Sequence, residues 1–224
     1  QVKAVCKTHG AVFVLDEMIT GFRWDLHGAM SVYDIEPDLA TFGKGMANGF
    51  ALAALIGKKE IMDLGGIRNA GAERVFLIST THGSEMSAFG AFNRTVDLYR
   101  EYAVTEHLWK YGKQFIEGLN AIAKENNVEE HFLAHGFGCS PYYTTKDAQG
   151  EVSPAFRTLW SQEMITNGIL MPWVALSLAH GEAELELTMN AARHALKTYA
   201  AALNDGIDKH LTGPAVKPVF RKYN

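Results

Sequence analysis

Asp16, Lys44 and the pair Thr80-Thr81 are the side chains whose types and settings could do chemistry. Asp16 directly follows the apolar run Ala11 to Leu15, where a carboxylate needs a donor or a cationic partner to stay charged. Lys44 stands between Gly43 and Gly45, which let another molecule approach its backbone and stem closely. Thr80 and Thr81 precede an expected helix start, whose unpaired N–H groups and dipole favour an anion such as phosphate. Acid, amine and anion site form a set that pyridoxal phosphate would satisfy. The amine can hold its aldehyde and later serve as a base, and the acid can keep the ring nitrogen protonated. Each residue alone has a plainer reading, as a turn-capping acid, a solvated loop lysine and a helix-start hydroxyl, and on the residues alone both readings stay open.

The elements that must position these side chains follow from periodicity. Ala11 to Leu15 is a short β-branched and aromatic run that reads as a strand buried on both faces. Asp38 to Phe42 follows the Glu36-Pro37 turn and stops at Gly43, so Asp16 and Lys44 both lie just past strand ends. Ala51 to Ile56 and Arg74 to Ser79 read as two further strands. In an open α/β sheet, ligands bind outside the carboxyl ends of the strands.

Helices dominate the remainder. With Ser84 as N-cap, Phe89, Phe92, Val96 and Tyr99 form one amphipathic stripe, and from Thr105 a second runs through Leu108, Tyr111, Phe115, Leu119 and Ile122. Ser153-Pro154 opens a third helix that ends at Gly168, and Leu185 to Leu203 carries a fourth. Gly136 to Thr145 reads as a strand entered through glycines. The predicted division is an α/β layer over residues 1–103, a smaller α+β domain over 104–203, and an irregular tail over 204–224.

Composition narrows the class. With 47% hydrophobic and 21% charged residues in 224, the chain has enough apolar surface for a core, which excludes disordered and collagenous readings. A net charge of −4 gives no footprint for nucleic acid, and no apolar run approaches the roughly 20 residues of a membrane span. Two cysteines in no spaced framework, Cys6 and Cys139, point to a reducing, cytoplasmic setting without structural zinc. His131 and His135 have the spacing of two metal ligands on a helix, but no third ligand accompanies them and no metal site is expected. Gly43-Lys44 lacks the flanking residues of a P-loop.

The stretch Leu15 to Met62, LDEMITGFRWDLHGAMSVYDIEPDLATFGKGMANGFALAALIGKKEIM, resembles the signature of class III (fold type I) PLP-dependent aminotransferases, in particular the glutamate-1-semialdehyde aminomutase-like branch. The shared features are an Asp-Glu acid pair, a T-G-x-R turn, a Y-x-x-x-P-D segment, and a lysine in a G-K-x-x-x-x-G loop. The resemblance continues through TTHGSEMSAFGA to SLAHGEAELELT. It implies an α/β fold: part of a fold type I large domain, with a mixed, mostly parallel sheet, plus a C-terminal α+β domain. It implies pyridoxal 5'-phosphate as cofactor, Lys44 as the Schiff-base lysine, Asp16 on the pyridine nitrogen, Met18 beneath the ring, and Thr80 with Thr81 at the phosphate. Glu17 and Arg23 are expected to support the site, Arg23 equally as a turn residue. In this family the phosphate-binding threonine comes from the neighbouring subunit, so a homodimer with shared active sites is expected.

Family chains are about twice this length and Gln1 is not a methionine, so the expectation is a C-terminal half, without the upstream phosphate loop and ring-stacking aromatic. The segment GILMPWVAL lacks the longer glutamate-bearing stretch of aminomutases, which favours an aminotransferase acting between a small-molecule amino donor and a keto or aldehyde acceptor. The alternatives are an intramolecular aminomutase and a truncated PLP-binding module without turnover.

Overall fold

The computed structural model describes residues 1–66, 71, 83 and 85–217. The expected strand Arg74 to Ser79 and the cap Ser84 lie outside the described residues. The chain divides into two compact units, Gln1–Glu106 and His107–Asn224.

The first unit is built on a small mixed sheet. β1 (Val14–Asp16) runs parallel to β2 (Leu39–Phe42), pairing Val14 with Leu39, Leu15 with Ala40 and Asp16 with Thr41. β3 (Ala54–Gly57) joins β2 on its other side, antiparallel. The first strand is shorter than its apolar run. Phe13 N–H donates to the Asp38 carboxylate at 2.8 Å, and Phe13 C=O accepts from Asp38 N–H at 2.9 Å and Leu39 N–H at 3.2 Å, so a side chain stands in for the ladder at the Phe13 amide. Asp38 also holds Lys58 at 2.6 Å, tying the end of β3 to the start of β2. That lysine and the Phe13 amide hold the Asp38 carboxyl below its ordinary value of 3.8.

Strand alternation sorts β2 into a buried side, Ala40 and Phe42, and a half-buried side, Leu39 and Thr41. Phe22 lies on the buried side with its ring edge-on to Phe42, Phe92 and Tyr99, at centroid separations of 6.3, 6.1 and 5.8 Å. Phe92 and Tyr99 come from the helix expected there, which spans Met86–Glu101, and the Tyr99 hydroxyl donates to Phe22 C=O at 2.7 Å. The sequence pattern did not signal the helix α1 (Val2–Thr8), and none of its residues is buried. Short helical turns α2 (Ala29–Val32) and α3 (Lys59–Met62) complete the unit ahead of α4, the Met86–Glu101 helix.

The second unit holds most of α5 (Val104–Glu125), an antiparallel hairpin of β4 (Phe132–Phe137) and β5 (Ser140–Thr145), α6 (Pro154–Thr166) and α7 (Glu182–Asp205). The single strand expected over Gly136 to Thr145 is thus the second half of a hairpin that turns at Gly138-Cys139. β4 begins four residues before the first glycine, because alternating Phe132 and Ala134 supply a buried face. His131 and His135 consequently share no helix: His131 Nδ1 lies 2.7 Å from Asp147 C=O, and His135 Nε2 lies 2.8 Å from the Thr144 hydroxyl.

Leu119, Leu159, Trp160, Leu196 and Tyr199 are fully buried at the centre of this unit. The Tyr199 hydroxyl accepts from Lys146 N–H at 2.9 Å and donates to Lys146 C=O at 2.6 Å, and burial raises its phenol well above the usual range. The Asn120 amide brackets Ala134 with two 2.8 Å bonds, satisfying backbone groups on the outer edge of β4. Ser153 caps α6 by accepting from Phe156 N–H, and Gly168, at φ +84°, follows its end. Of the tail, Thr212 N–H and hydroxyl both donate to Gln162, and Val216 N–H donates to Thr158, so the stretch up to Lys217 runs along α6.

Candidate active site

β1 ends in two adjacent carboxylates whose surroundings are opposite. Asp16 is exposed, on the side of the sheet shared with its register partner Thr41. Its Oδ1 accepts from Met18 N–H at 2.9 Å and from the Thr41 hydroxyl at 3.4 Å. Its Oδ2 has no hydrogen-bond partner among the described residues. Glu17 is 0% exposed and turns to the core side. Its carboxylate accepts from Ala29 N–H at 2.9 Å, from Met30 N–H at 2.7 Å and from the Thr20 hydroxyl.

Two glycines make this geometry possible. Gly28 has φ +88°, and a Cβ there would lie 2.6 Å from the Glu17 carboxylate, so only glycine fits. A Cβ on Gly43 would overlap the terminal methyl of Met18. Met18 therefore lies across the backbone immediately before Lys44.

Lys44 opens a 3₁₀ turn, Lys44–Met46, two residues past the end of β2. Its φ of +48° is a left-handed conformation that a residue with a Cβ adopts only when its surroundings enforce it. The Met46 N–H to Gly43 C=O bond at 3.2 Å and the burial of Met46 and Ala47 enforce it here. The Lys44 side chain is exposed, and its amine has no hydrogen bond or ion pair among the described residues. Because β1 and β2 are adjacent and parallel, their carboxyl ends deliver Asp16, Met18 and Lys44 to one edge of the sheet, where neighbouring strands are about 4.8 Å apart.

Thr80 and Thr81 lie outside the described residues. Arg23 sits in the turn after Thr20, its N–H donating to Thr20 C=O at 3.2 Å. Sequence reasoning missed Thr41 as a partner of Asp16, although the parallel register of the two expected strands places it opposite. No group of three or more potential metal ligands occurs among the described residues.

The aminotransferase class III family model matches residues 1–152. The chain belongs to the class III aminotransferase family. It is 29% identical to the 3-aminobutyryl-CoA aminotransferase of Cloacimonas acidaminovorans over 87% of this chain and 46% of that protein. It is 31% identical to the glutamate-1-semialdehyde 2,1-aminomutase of Desulfatibacillum aliphaticivorans over 88% of this chain and 47% of that protein. Among solved structures it resembles FumI of Sphingopyxis sp. MTA144 in its PLP internal aldimine form, with a TM-score of 0.74 at 23% identity, covering 90% of this chain and 46% of that one. An omega-transaminase from Sphaerobacter thermophilus gives 0.73 at 23% identity, over 92% and 47%. The fold is accordingly that of the PLP-dependent transaminases, and the chain spans about half the length of the relatives it matches. Pyridoxal phosphate is the cofactor of class III aminotransferases.

A cleft of about 400 Å³ in the second unit carries the other part of the family-like sequence. Residues 168–176, the GILMPWVAL segment, form one wall, with Tyr111, His180 and Glu184 across it. The His180 ring stacks on Tyr111 at 5.9 Å, and its Nδ1 accepts from Ser177 N–H at 3.0 Å. Glu184 accepts from Gly181 N–H at 2.8 Å, which starts α7 and holds that carboxyl below its ordinary value.

Proposed function

We propose that this chain carries the lysine-bearing part of a pyridoxal 5'-phosphate-dependent aminotransferase, which moves an amino group from a small-molecule donor to a keto or aldehyde acceptor. The observation that carries the reading is the delivery of an unengaged amine, Lys44, and a half-engaged carboxylate, Asp16, to one edge of the sheet from the ends of two adjacent parallel strands. The donor set fits the cofactor: a primary amine for its aldehyde, a carboxylate oxygen without a protein partner for its ring nitrogen, and the flexible apolar side chain of Met18 beside both.

When bound, the cofactor supplies an electron-withdrawing ring that stabilises the charge left when a substrate Cα proton departs. Lys44 Nζ would hold the aldehyde carbon, and the same amine is the group placed to take up and return a substrate Cα proton. Asp16 Oδ2 would hold the proton on the ring nitrogen, and Met18 would support the ring face. Thr80 and Thr81 bind the phosphate, supplied across a homodimer interface. The absence of any carboxylate from residues 168–176 supports transfer between two substrates over migration within one. We extend the reading to a reducing, cytoplasmic setting, on the ground that the sequence carries two cysteines, Cys6 and Cys139, in no spaced framework.

The test is chemical. The full-length protein with pyridoxal 5'-phosphate should, on borohydride reduction, carry a pyridoxyl group on the peptide containing Lys44, and Lys44→Ala should abolish it. Labelling of another lysine would overturn the assignment. Consumption of two substrates in equal amounts marks a transaminase, and conversion of one substrate to its isomer marks a mutase.

A further inference from the structure

We propose that Glu17 is a positioning residue for the cofactor acid: its buried carboxylate fixes the tip of β1 so that Asp16 and Met18 face the Lys44 loop. The inference rests on the reading of Asp16 and Lys44 given above.

Glu17 is bound through every polar group it has. Its N–H donates to Thr41 C=O at 2.9 Å, continuing the parallel ladder one residue past the strand. Its C=O accepts from Gly21 N–H at 2.9 Å, closing the turn that follows. Its two carboxylate oxygens take the Ala29 and Met30 amides and the Thr20 hydroxyl. Because side chains alternate along an extended strand, anchoring residue 17 on the core side commits residue 16 to the other side, while Met18 lies in the turn that this anchor starts. The contacts of those neighbours agree, with Asp16 at the Thr41 hydroxyl and Met18 against Gly43.

The requirement is for a carboxylate in particular. Three donors converge on two acceptor oxygens, whereas a glutamine offers one acceptor oxygen and an NH₂ that would face a donor. The neutral variant therefore leaves a buried donor unsatisfied and loosens the strand tip.

The experiment uses the full-length, cofactor-loaded protein and reads the visible absorption band of the cofactor together with its dissociation constant. Glu17→Gln should move the band in the same direction as Asp16→Asn and raise the dissociation constant about fivefold, the effect of losing one such bond. Gly28→Ala, which pushes a methyl group into the same carboxylate, should do likewise, and it decides the matter if Glu17→Gln does not fold. Tyr99→Phe, which removes a core hydrogen bond in the same unit, should lower the melting temperature without moving the band. Variants at 17 and 28 that melt lower yet keep the wild-type band and affinity would overturn the proposal and leave the roles of Asp16 and Lys44 intact. A wild-type protein in which borohydride fixes nothing on Lys44 would overturn both.

Discussion

Three helical glycines allow a graded test of how this chain packs. In a helix interior, alanine is favoured over glycine by about 1 kcal/mol, so propensity alone makes every Gly→Ala change here stabilising. The surroundings rank them differently. A Cβ on Gly90, in α4, meets no described atom within 4 Å. One on Gly118, in α5, lies 2.7 Å from the Met189 sulfur, on a flexible side chain that can move aside. One on Gly112, also in α5, would overlap the carbonyl oxygen of Gly138 and lie 2.7 Å from its carbon, and this hairpin backbone cannot rotate away. Relieving the last overlap means lifting α5 off the β4–β5 turn, at the upper end of overpacking costs, about 3 kcal/mol. Net of propensity, Gly112→Ala should destabilise by about 2 kcal/mol and lower the melting temperature by about 4–8 °C. Gly118→Ala should be close to neutral, and Gly90→Ala should gain about 1 kcal/mol. Circular-dichroism melts of the three variants, with hydrogen exchange at the hairpin amides, measure the series. If Gly112→Ala melts at or above Gly90→Ala, the close approach of helix and turn is wrong.

Two further outcomes follow from local geometry. Ser153→Ala removes the cap of α6 and should cost about 1 kcal/mol in chemical unfolding, with Ser153→Asp retaining most of it. Because the folded-state value of Asp38 is depressed, its contribution is present above the unfolded value of 3.8 and is lost as pH falls through the folded value. Melting temperature should therefore drop below about pH 4, and Asp38→Asn should be less stable at neutral pH and flatter across that acid limb.

Local signals carried much of the fold. Ser153-Pro154 and Gly168 marked both ends of α6 because a cap, a fixed proline φ and a left-handed glycine each act within one turn. The abrupt ends of the apolar runs placed Asp16 and Lys44 at strand termini, although β1 is not buried on both faces as its apolar run suggested, with Val12 and Val14 exposed. What stayed hidden depends on partners distant in sequence. The helix Val2–Thr8 has no buried residue, so no stripe announced it, and the β4–β5 hairpin was masked by two glycines that looked like an entry, of which Gly136 lies within β4 and Gly138 in the turn. Glu17 and Asp16 are neighbours of like charge, and their separation into clamp and half-engaged acid depends on Ala29, Met30 and Thr41, which only the folded chain brings near. The contact of Met18 with Gly43 spans two strands and is equally silent in either segment alone.

The adjacent acids at the tip of β1 have a consequence for how this segment tolerates change. Their fates are set by parity: one position faces outward and the next inward, and the spacing to Thr41 fixes which is which. A single-residue insertion or deletion between Val14 and Glu17 would exchange the two, driving the outward acid into the α2 clamp and leaving the anchor in solvent. The loop between α2 and β2 has no such parity to keep. Length is therefore constrained over these few residues as strictly as the identity of the two acids, and a substitution at exposed Val14 that keeps the count should be tolerated where a one-residue shift is not.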